Sequence, residues 1–179
     1  RGYQTSARLP YHTDYSDLVG LLCLKTARTG GLSSIVSSSA LFNHIMTERP
    51  DLGAALLQPF YRTRWGEVGS DRPAWIEVPA FNTFEGGVST SYVRSAVRKA
   101  QLMPEVPRVT AKQEEAMDFL DELAGSPEFH LDMELQVGDL QFVNNHYIMH
   151  SRTAYEDQED WSEKRHLMRL WLACDDGPT

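Results

Sequence analysis

The chain is short of the features that announce a chemistry outright. It has two cysteines, Cys23 and Cys174, and they lack metal-ligand spacing, which argues against a zinc ribbon or a disulfide scaffold. Both lie in apolar, strand-like runs and are expected to be buried thiols, as suits a reducing cytoplasmic setting. No apolar run approaches a membrane span and no signal-peptide pattern is visible, so no membrane partner is expected. Positive charge is also scarce: 17 Lys and Arg stand against 25 Asp and Glu, a formal net charge of −8. A nucleic-acid partner held by bulk electrostatics is therefore not expected. There is no repeat and no low-complexity tract. What remains is 179 residues of ordinary composition, 41% hydrophobic and 23% charged, long enough for one domain with a real core, read as a single domain over residues 1–179.

Against this plain background, one pattern stands out. His12-Thr13-Asp14 lies near the start of the chain and His150 near its end. In an extended strand, residues i and i+2 point to the same side, so His12 and Asp14 can reach one ion. Two imidazoles and a carboxylate with open positions form the facial triad of non-haem Fe(II) oxygenases. Gly138-Asp139 opens a turn into an apolar strand, which breaks at Asn144-Asn145 and resumes towards His150. A further strand, Arg165 to Cys174, sets Arg165, Leu167, Arg169 and Trp171 on one face. Two arginines on a buried strand face suit a cavity that receives anions, because the guanidinium fork binds carboxylates bidentately.

Each residue taken alone also reads otherwise. His12 and Asp14 read as turn residues, and His146 and His150 as satisfied strand histidines. Ser33 reads as a strand-edge serine. Arg165 and Arg169 could pair with Glu156, Asp157, Glu159 or Asp160.

Taken together and in order, His12-Thr13-Asp14, Gly30-Gly31-Leu32-Ser33, the Gly138-Asp139 to His150 segment and Arg165-His166-Leu167-Met168-Arg169 resemble the TauD/TfdA and clavaminate synthase-like group of Fe(II), 2-oxoglutarate-dependent dioxygenases. The resemblance covers almost the whole chain. It implies a mainly β fold with flanking helices, a double-stranded β-helix or jelly roll. It implies iron ligands at His12, Asp14 and His150. Ser33 and Arg165 would hold the distal carboxylate of 2-oxoglutarate, and Arg169 would face the substrate or close the co-substrate pocket, its rival role being to neutralise Asp14 and brace the metal site. Fe(II), 2-oxoglutarate and dioxygen are the expected cofactors, and the expected reaction hydroxylates a small, anionic organic substrate while releasing succinate and CO2. Where the family often has Asn-x-Arg, this chain has Asn144-Asn145-His146. His146 is thus a second candidate ligand, and the distance from Asp139 favours His150. Two rival readings are a catalytically silent jelly-roll binding module and a zinc hydrolase using the same ligands.

The resembled family places strands and helices ahead of its His-x-Asp motif. The expectation is therefore a fragment lacking the N-terminal part, with one side of the barrel absent and apolar surface open beside Leu18 to Leu24. Arg169, four residues beyond Arg165, should lie about 13 Å from it at strand rise. That is too far to share one carboxylate, so a second anion is expected there.

The remaining pattern predicts strands over 18–25, 32–37, 60–67, 75–84, 129–135, 140–145 and 166–174. A helix capped by Ser38 or Ser39 should run to Arg49 and stop at Pro50. A short helical stretch is expected near 94–101. A second clear helix, capped by Thr110 and ended by Gly125, should bury Ala116, Phe119, Leu120 and Leu123. Glu85-Gly86-Gly87 reads as a hairpin turn, Ser70 to Pro73 as a loop, and Tyr155 to Asp160 as a solvated acidic loop. Tyr61, Trp65, Trp75, Phe81, Phe84 and Tyr92 read mostly as core or sheet-face aromatics.

Overall fold

The computed structural model describes residues 5–64 and 73–175. Strands come first: β1 (Leu9–His12), β2 (Leu18–Lys25), β3 (Thr29–Gly30) and β4 (Ser33–Ser37). Helices α1 (Ser38–Glu48) and α2 (Pro50–Leu56) follow, then strands β5 (Pro59–Thr63), β6 (Trp75–Pro79), β7 (Phe81–Phe84) and β8 (Gly87–Thr90). Helices α3 (Arg94–Ala100) and α4 (Ala111–Ala124) precede β9 (His130–Met133), β10 (Leu140–Asn144), β11 (Ile148–Arg152), β12 (Tyr155–Glu156) and β13 (His166–Leu172).

Two antiparallel sheets carry the architecture. One has the order β1-β11-β4-β9 and the other β10-β2-β13. Strand periodicity gives the first sheet two different faces. Tyr11, Val36 and Met149 point to one side and pack with Leu41, Ile45, Leu52, Met117 and Leu120 of α1, α2 and α4. Fully burying side chains of this kind contributes about 1.5–3 kcal/mol each. His12, His150, Ile35, Ser33 and Arg152 alternate to the other side, with His150 opposite Ile35 and Arg152 opposite Ser33. That side meets the second sheet, where the Ser33 hydroxyl of β4 donates to Gln141 of β10 at 3.0 Å.

In the second sheet, Val19, Leu21, Val143, Arg169 and Trp171 fall on the face turned to His12 and His150; Trp171 pairs with Val19, and Arg169 and Gln141 with Leu21. The opposite face carries Leu140, Phe142, Met168 and Leu170, all more than half exposed. Gly20 sits beneath the Phe142 ring, which a Cβ would approach to 2.8 Å. Apolar surface was expected beside Leu18 to Leu24, and this face provides it.

Several local expectations are corrected. The α1 cap is Ser37, whose side chain accepts from the Ala40 amide; β4 runs straight into the helix, so Ser38 is already turned inward and buried. Pro50 does not merely stop α1. It opens α2 from the first-turn position, where its missing N–H would be unpaired anyway. The predicted 75–84 strand is two, β6 and β7, broken at Ala80. β5 ends at Thr63, so the rest of the predicted 60–67 strand, like Trp65 and the Ser70–Arg72 part of the loop, falls outside the described residues save Arg64. The α4 helix is as predicted, with a complete Thr110–Gln113 capping box. Phe84 is exposed rather than core. Cys23 is buried, but Cys174 is exposed because β13 ends at Leu172, two residues earlier. Among the described residues, no helix is long and apolar enough to cross a membrane.

The capping box makes a direct stability prediction. Thr110→Ala should lower unfolding free energy by about 1 kcal/mol, read as a shift in urea midpoint with an unchanged slope.

Candidate metal and co-substrate site

The site begins with strand register. β1 and β11 pair antiparallel with His12 directly opposite His150, and their rings lie 4.4 Å apart, centroid to centroid. Asp14, two residues beyond His12, turns to the same place. His12, Asp14 and His150 each offer a ligand atom within 4.8 Å of the others.

Contacts from Thr13, Asn145, Trp171 and Arg169 hold this arrangement. Thr13, fully inside, donates its amide to the Tyr92 carbonyl at 2.9 Å. Its hydroxyl accepts from the Tyr92 amide at 3.0 Å, and the Tyr92 phenol continues to Asp121 on α4 at 2.9 Å. Buried Asn145 accepts from the Asp14 amide at 3.1 Å and donates to the Ser16 carbonyl at 2.8 Å. The Trp171 indole donates to Asp14 Oδ2 at 3.0 Å, while Arg169 Nη1 lies 3.5 Å from Asp14 Oδ1. The supports from Thr13, Asn145 and Trp171 were not predicted as such. Trp171 had been placed on the correct face, and the Asn144-Asn145 break was visible only as a turn signal.

The donor chemistry suits a cation. His12 donates from Nδ1 to the Pro10 carbonyl at 2.8 Å, which fixes its tautomer and leaves Nε2 as a lone-pair donor. His150 is buried, and its Nδ1 has no hydrogen-bond partner. Burial pushes the His150 imidazole well below its ordinary range, helped by His12 and Arg169. Burial likewise lowers His12, against the opposing pull of Asp14. Both rings are therefore neutral, ligand-ready imidazoles near neutral pH. His150 Nε2 lies 3.7 Å from Asp14 Oδ2, so a carboxylate and two neutral imidazoles converge, a donor set that an ion would satisfy. His146 belongs elsewhere: its Nε2 meets Asp17 at 2.7 Å, and Asp17 also accepts from the Cys174 amide at 2.7 Å.

The anion-binding candidates lie further along the same interior. Gly30 and Gly31 both adopt positive φ, 74° and 75°, which L side chains rarely adopt. A Cβ on Gly31 would also come within 3.0 Å of Arg165 Nε, so the Gly-Gly turn gives the guanidinium its room. Arg165 approaches the Gly31 carbonyl at 3.4 Å and packs over Tyr155 at 5.1 Å. The other side of that cluster holds Arg152, 4.7 Å from the Tyr155 centroid, whose guanidinium bonds the Thr5 and Ala7 carbonyls. Burial lowers the pKa of both arginines. A bulge between His166 and Leu167 separates Arg165 from the regular strand that carries Arg169. Neither arginine forms an ion pair with Glu156, Asp157, Glu159 or Asp160; Asp157 accepts from the Arg165 backbone amide instead, at 2.7 Å. Tyr155-Glu156 is a short strand, β12, paired to β3, rather than loop throughout. A cleft of about 630 Å³ near Lys25, Arg28 and Glu159 lies towards the opposite end of β2, and its Lys25 is already paired with Glu163.

Residues 1–171 match the family described as "Taurine catabolism dioxygenase TauD, TfdA family". The chain belongs to that family. It is 36% identical to the FR-33289 synthase of Streptomyces rubellomurinus (strain ATCC 31215), over 99% of this chain and 53% of that protein. It is 32% identical to the "Taurine hydroxylase-like protein SAT17" of Stachybotrys chartarum (strain CBS 109288 / IBT 7711), over 90% of this chain and 41% of that protein. The chain thus spans about half the length of these relatives. Among solved structures, an asparagine oxygenase in complex with Fe(II), 2S,3S-3-hydroxyasparagine and succinate superposes with a TM-score of 0.69. That match covers 94% of this chain and 50% of the other at 21% identity. The fold is the jelly roll of the Fe(II)/2-oxoglutarate oxygenases, as expected.

Asn145 gives the sharpest test of the support network. Asn145→Ala leaves the Asp14 amide and the Ser16 carbonyl without their partner, at about 1–3 kcal/mol for each buried group left unpaired. The expected outcome is a lower thermal midpoint and weaker metal binding together. A variant that loses stability with unaltered metal affinity would separate Asn145 from the site.

Proposed function

We propose that this chain carries the iron and co-substrate site of a 2-oxoglutarate-dependent oxygenase acting on a small organic molecule. The observation that carries the reading is the His12–Asp14–His150 cluster, assembled from opposite ends of the chain beside Arg165 and the Gly30-Gly31 turn. With Fe(II), 2-oxoglutarate and dioxygen bound, that group supplies the oxidation of a substrate carbon, with succinate and CO2 released. The residues supply orientation and fixed charges. His12 and Pro10 fix one ligand's tautomer. Trp171 and Arg169 hold the Asp14 carboxylate against rotation. Arg165 presents a fixed cation for the far carboxylate of the co-substrate. Ser33 assists once its hydroxyl hydrogen turns from Gln141 to that carboxylate.

Family membership favours this reading over a zinc hydrolase, which has no use for Arg165 and Ser33 beside the metal. It also separates from a silent binding module in one experiment. Anaerobic titration of Fe(II) and 2-oxoglutarate should develop the weak visible band of the chelate, and admission of oxygen should yield succinate. Binding without succinate would support the silent module. Activity with zinc in place of iron would support the hydrolase.

Within this reading, His12→Ala, Asp14→Ala and His150→Ala should each abolish Fe(II) binding, while His146→Ala should leave iron bound. Retained iron in the His150 variant with loss in the His146 variant would reverse the ligand choice. Arg165→Ala should weaken 2-oxoglutarate binding by roughly tenfold or more, since a charge-assisted bond is worth about 1.5–3 kcal/mol. Ser33→Ala should cost less.

Arg169 both neutralises Asp14 and faces the interior, where it meets the substrate. Arg169→Gln is expected to keep iron and uncoupled 2-oxoglutarate turnover while losing coupled hydroxylation. Lost iron binding would reduce Arg169 to a brace for Asp14.

A further inference from the structure

Arg62 is a buried guanidinium with no acidic partner among the described residues. It lies on β5 and is only 7% exposed. Its Nε is buried and makes no hydrogen bond. Among the described residues no carboxylate lies within ion-pair distance of it, whereas Arg94 is bonded to Asp118 and Asp121 and Arg98 to Glu114. Arg152, also buried, is held by main-chain carbonyls. Arg62 instead packs against the ring of Tyr15, 4.6 Å from its centroid. Tyr15 immediately follows Asp14 in the chain, and its phenol reaches back to the Thr63 carbonyl beside Arg62 at 3.5 Å. The guanidinium is thereby tied to the loop that carries a metal ligand.

Removing a cation from water without a counter-charge is costly, and a ring face offsets only part of that cost. A guanidinium lying on an aromatic face keeps its N–H edge free for in-plane acceptors, the geometry that binds a carboxylate or other oxyanion bidentately. Burial lowers the Arg62 pKa, but a guanidinium stays charged under all ordinary conditions. Among the described residues nothing supplies that anion, which leaves the Arg62 guanidinium open to one from outside the chain.

We propose that Arg62, backed by Tyr15, is the seat for an oxyanion group of the substrate: a carboxylate, sulfonate, phosphonate or phosphate. The proposal rests on the oxygenase reading for the word substrate. The anion seat itself stands on Arg62 alone. It is distinct from Arg165, placed by Gly31 and Tyr155, and from Arg169, which already lies against the Asp14 carboxylate. A substrate held at Arg62 through its charged end would extend past Tyr15 towards Asp14, so Arg62 would select substrates by the spacing between anion and reacting carbon.

The test is calorimetric titration of the chain with acetate, methanesulfonate, methylphosphonate and inorganic phosphate, with and without 2-oxoglutarate. At least one anion should bind saturably to the wild-type chain. Arg62→Met should weaken that binding tenfold or more while leaving 2-oxoglutarate affinity unchanged. Arg62→Lys keeps the charge but not the fork and should weaken it severalfold; it supplies the reading if Arg62→Met does not fold. Equal anion binding in the variants, or no anion bound by the wild type, overturns the proposal. Loss of 2-oxoglutarate affinity in Arg62→Met would overturn it too, by making Arg62 a co-substrate anchor. The Fe(II)–2-oxoglutarate band is read on the same samples. Its presence without Arg62-dependent anion binding sinks the anion seat alone. Its absence with such binding intact sinks the oxygenase reading alone.

Discussion

The antiparallel pairing of β1 with β11 is the constraint on which the rest depends. It sets His12 opposite His150, and a one-residue slip would send one of the two rings to the helix-packed face. The core prevents that slip. Tyr11 and Met149, the neighbours of the two histidines, are buried among α1, α2 and α4, so the register that brings the candidate ligands together is the one that fills the core. Stability and ligand geometry are thus set by the same alternation of side chains.

Asp14 is placed differently. It lies beyond the end of β1, where no ladder holds it, and its position comes from side chains of distant elements. Thr13 is locked to Tyr92, Asn145 holds the Asp14 amide, and Trp171 donates to its carboxylate. These contacts reach a helix-bound loop, the turn before β11 and the last strand. A carboxylate so gripped cannot swing away from the imidazoles when no ion is present. Such preorganisation lowers the reorganisation that binding demands.

The two sheets also divide their faces by purpose. The interior face of the second sheet mixes Val19, Leu21 and Val143 with Gln141, Arg169 and Trp171, and it meets His12, Ser33 and His150. Its far face is nearly all apolar and more than half exposed at Leu140, Phe142, Met168 and Leu170. Polar groups therefore gather between the sheets, where they can satisfy one another and a ligand, while the hydrocarbon lies behind them. The arginines follow one logic. Arg169 meets a carboxylate, Arg152 meets carbonyls, and Arg165 and Arg62 rest on aromatic rings. The last two are the groups for which an outside anion is proposed.

Much of this was legible in order and spacing. The His-x-Asp motif, the Gly-Gly turn, the Gly138-Asp139 strand leading to His150 and the paired arginines pointed to the family and the jelly roll before any coordinate was known. The amphipathic pattern of α4 and its Thr110 cap were equally plain, because helix periodicity and capping are local. Local chemistry did not reveal that Ser37 rather than Ser38 caps α1, that Pro50 opens a helix, or that Cys174 lies exposed. Each depends on where a neighbouring strand or helix begins or ends. Nor could a pattern show that His146 belongs to Asp17, since both residues sit in turns and meet only through the pairing of β10 with β2. By itself, then, the sequence determined which residue types were available to hold an ion and two anions, since ligand chemistry resides in the side chain. Only the tertiary structure decided which of them converge and that buried Arg62 has only a ring face as its partner among the described residues, because proximity between residues far apart in the chain is created by strand pairing and burial.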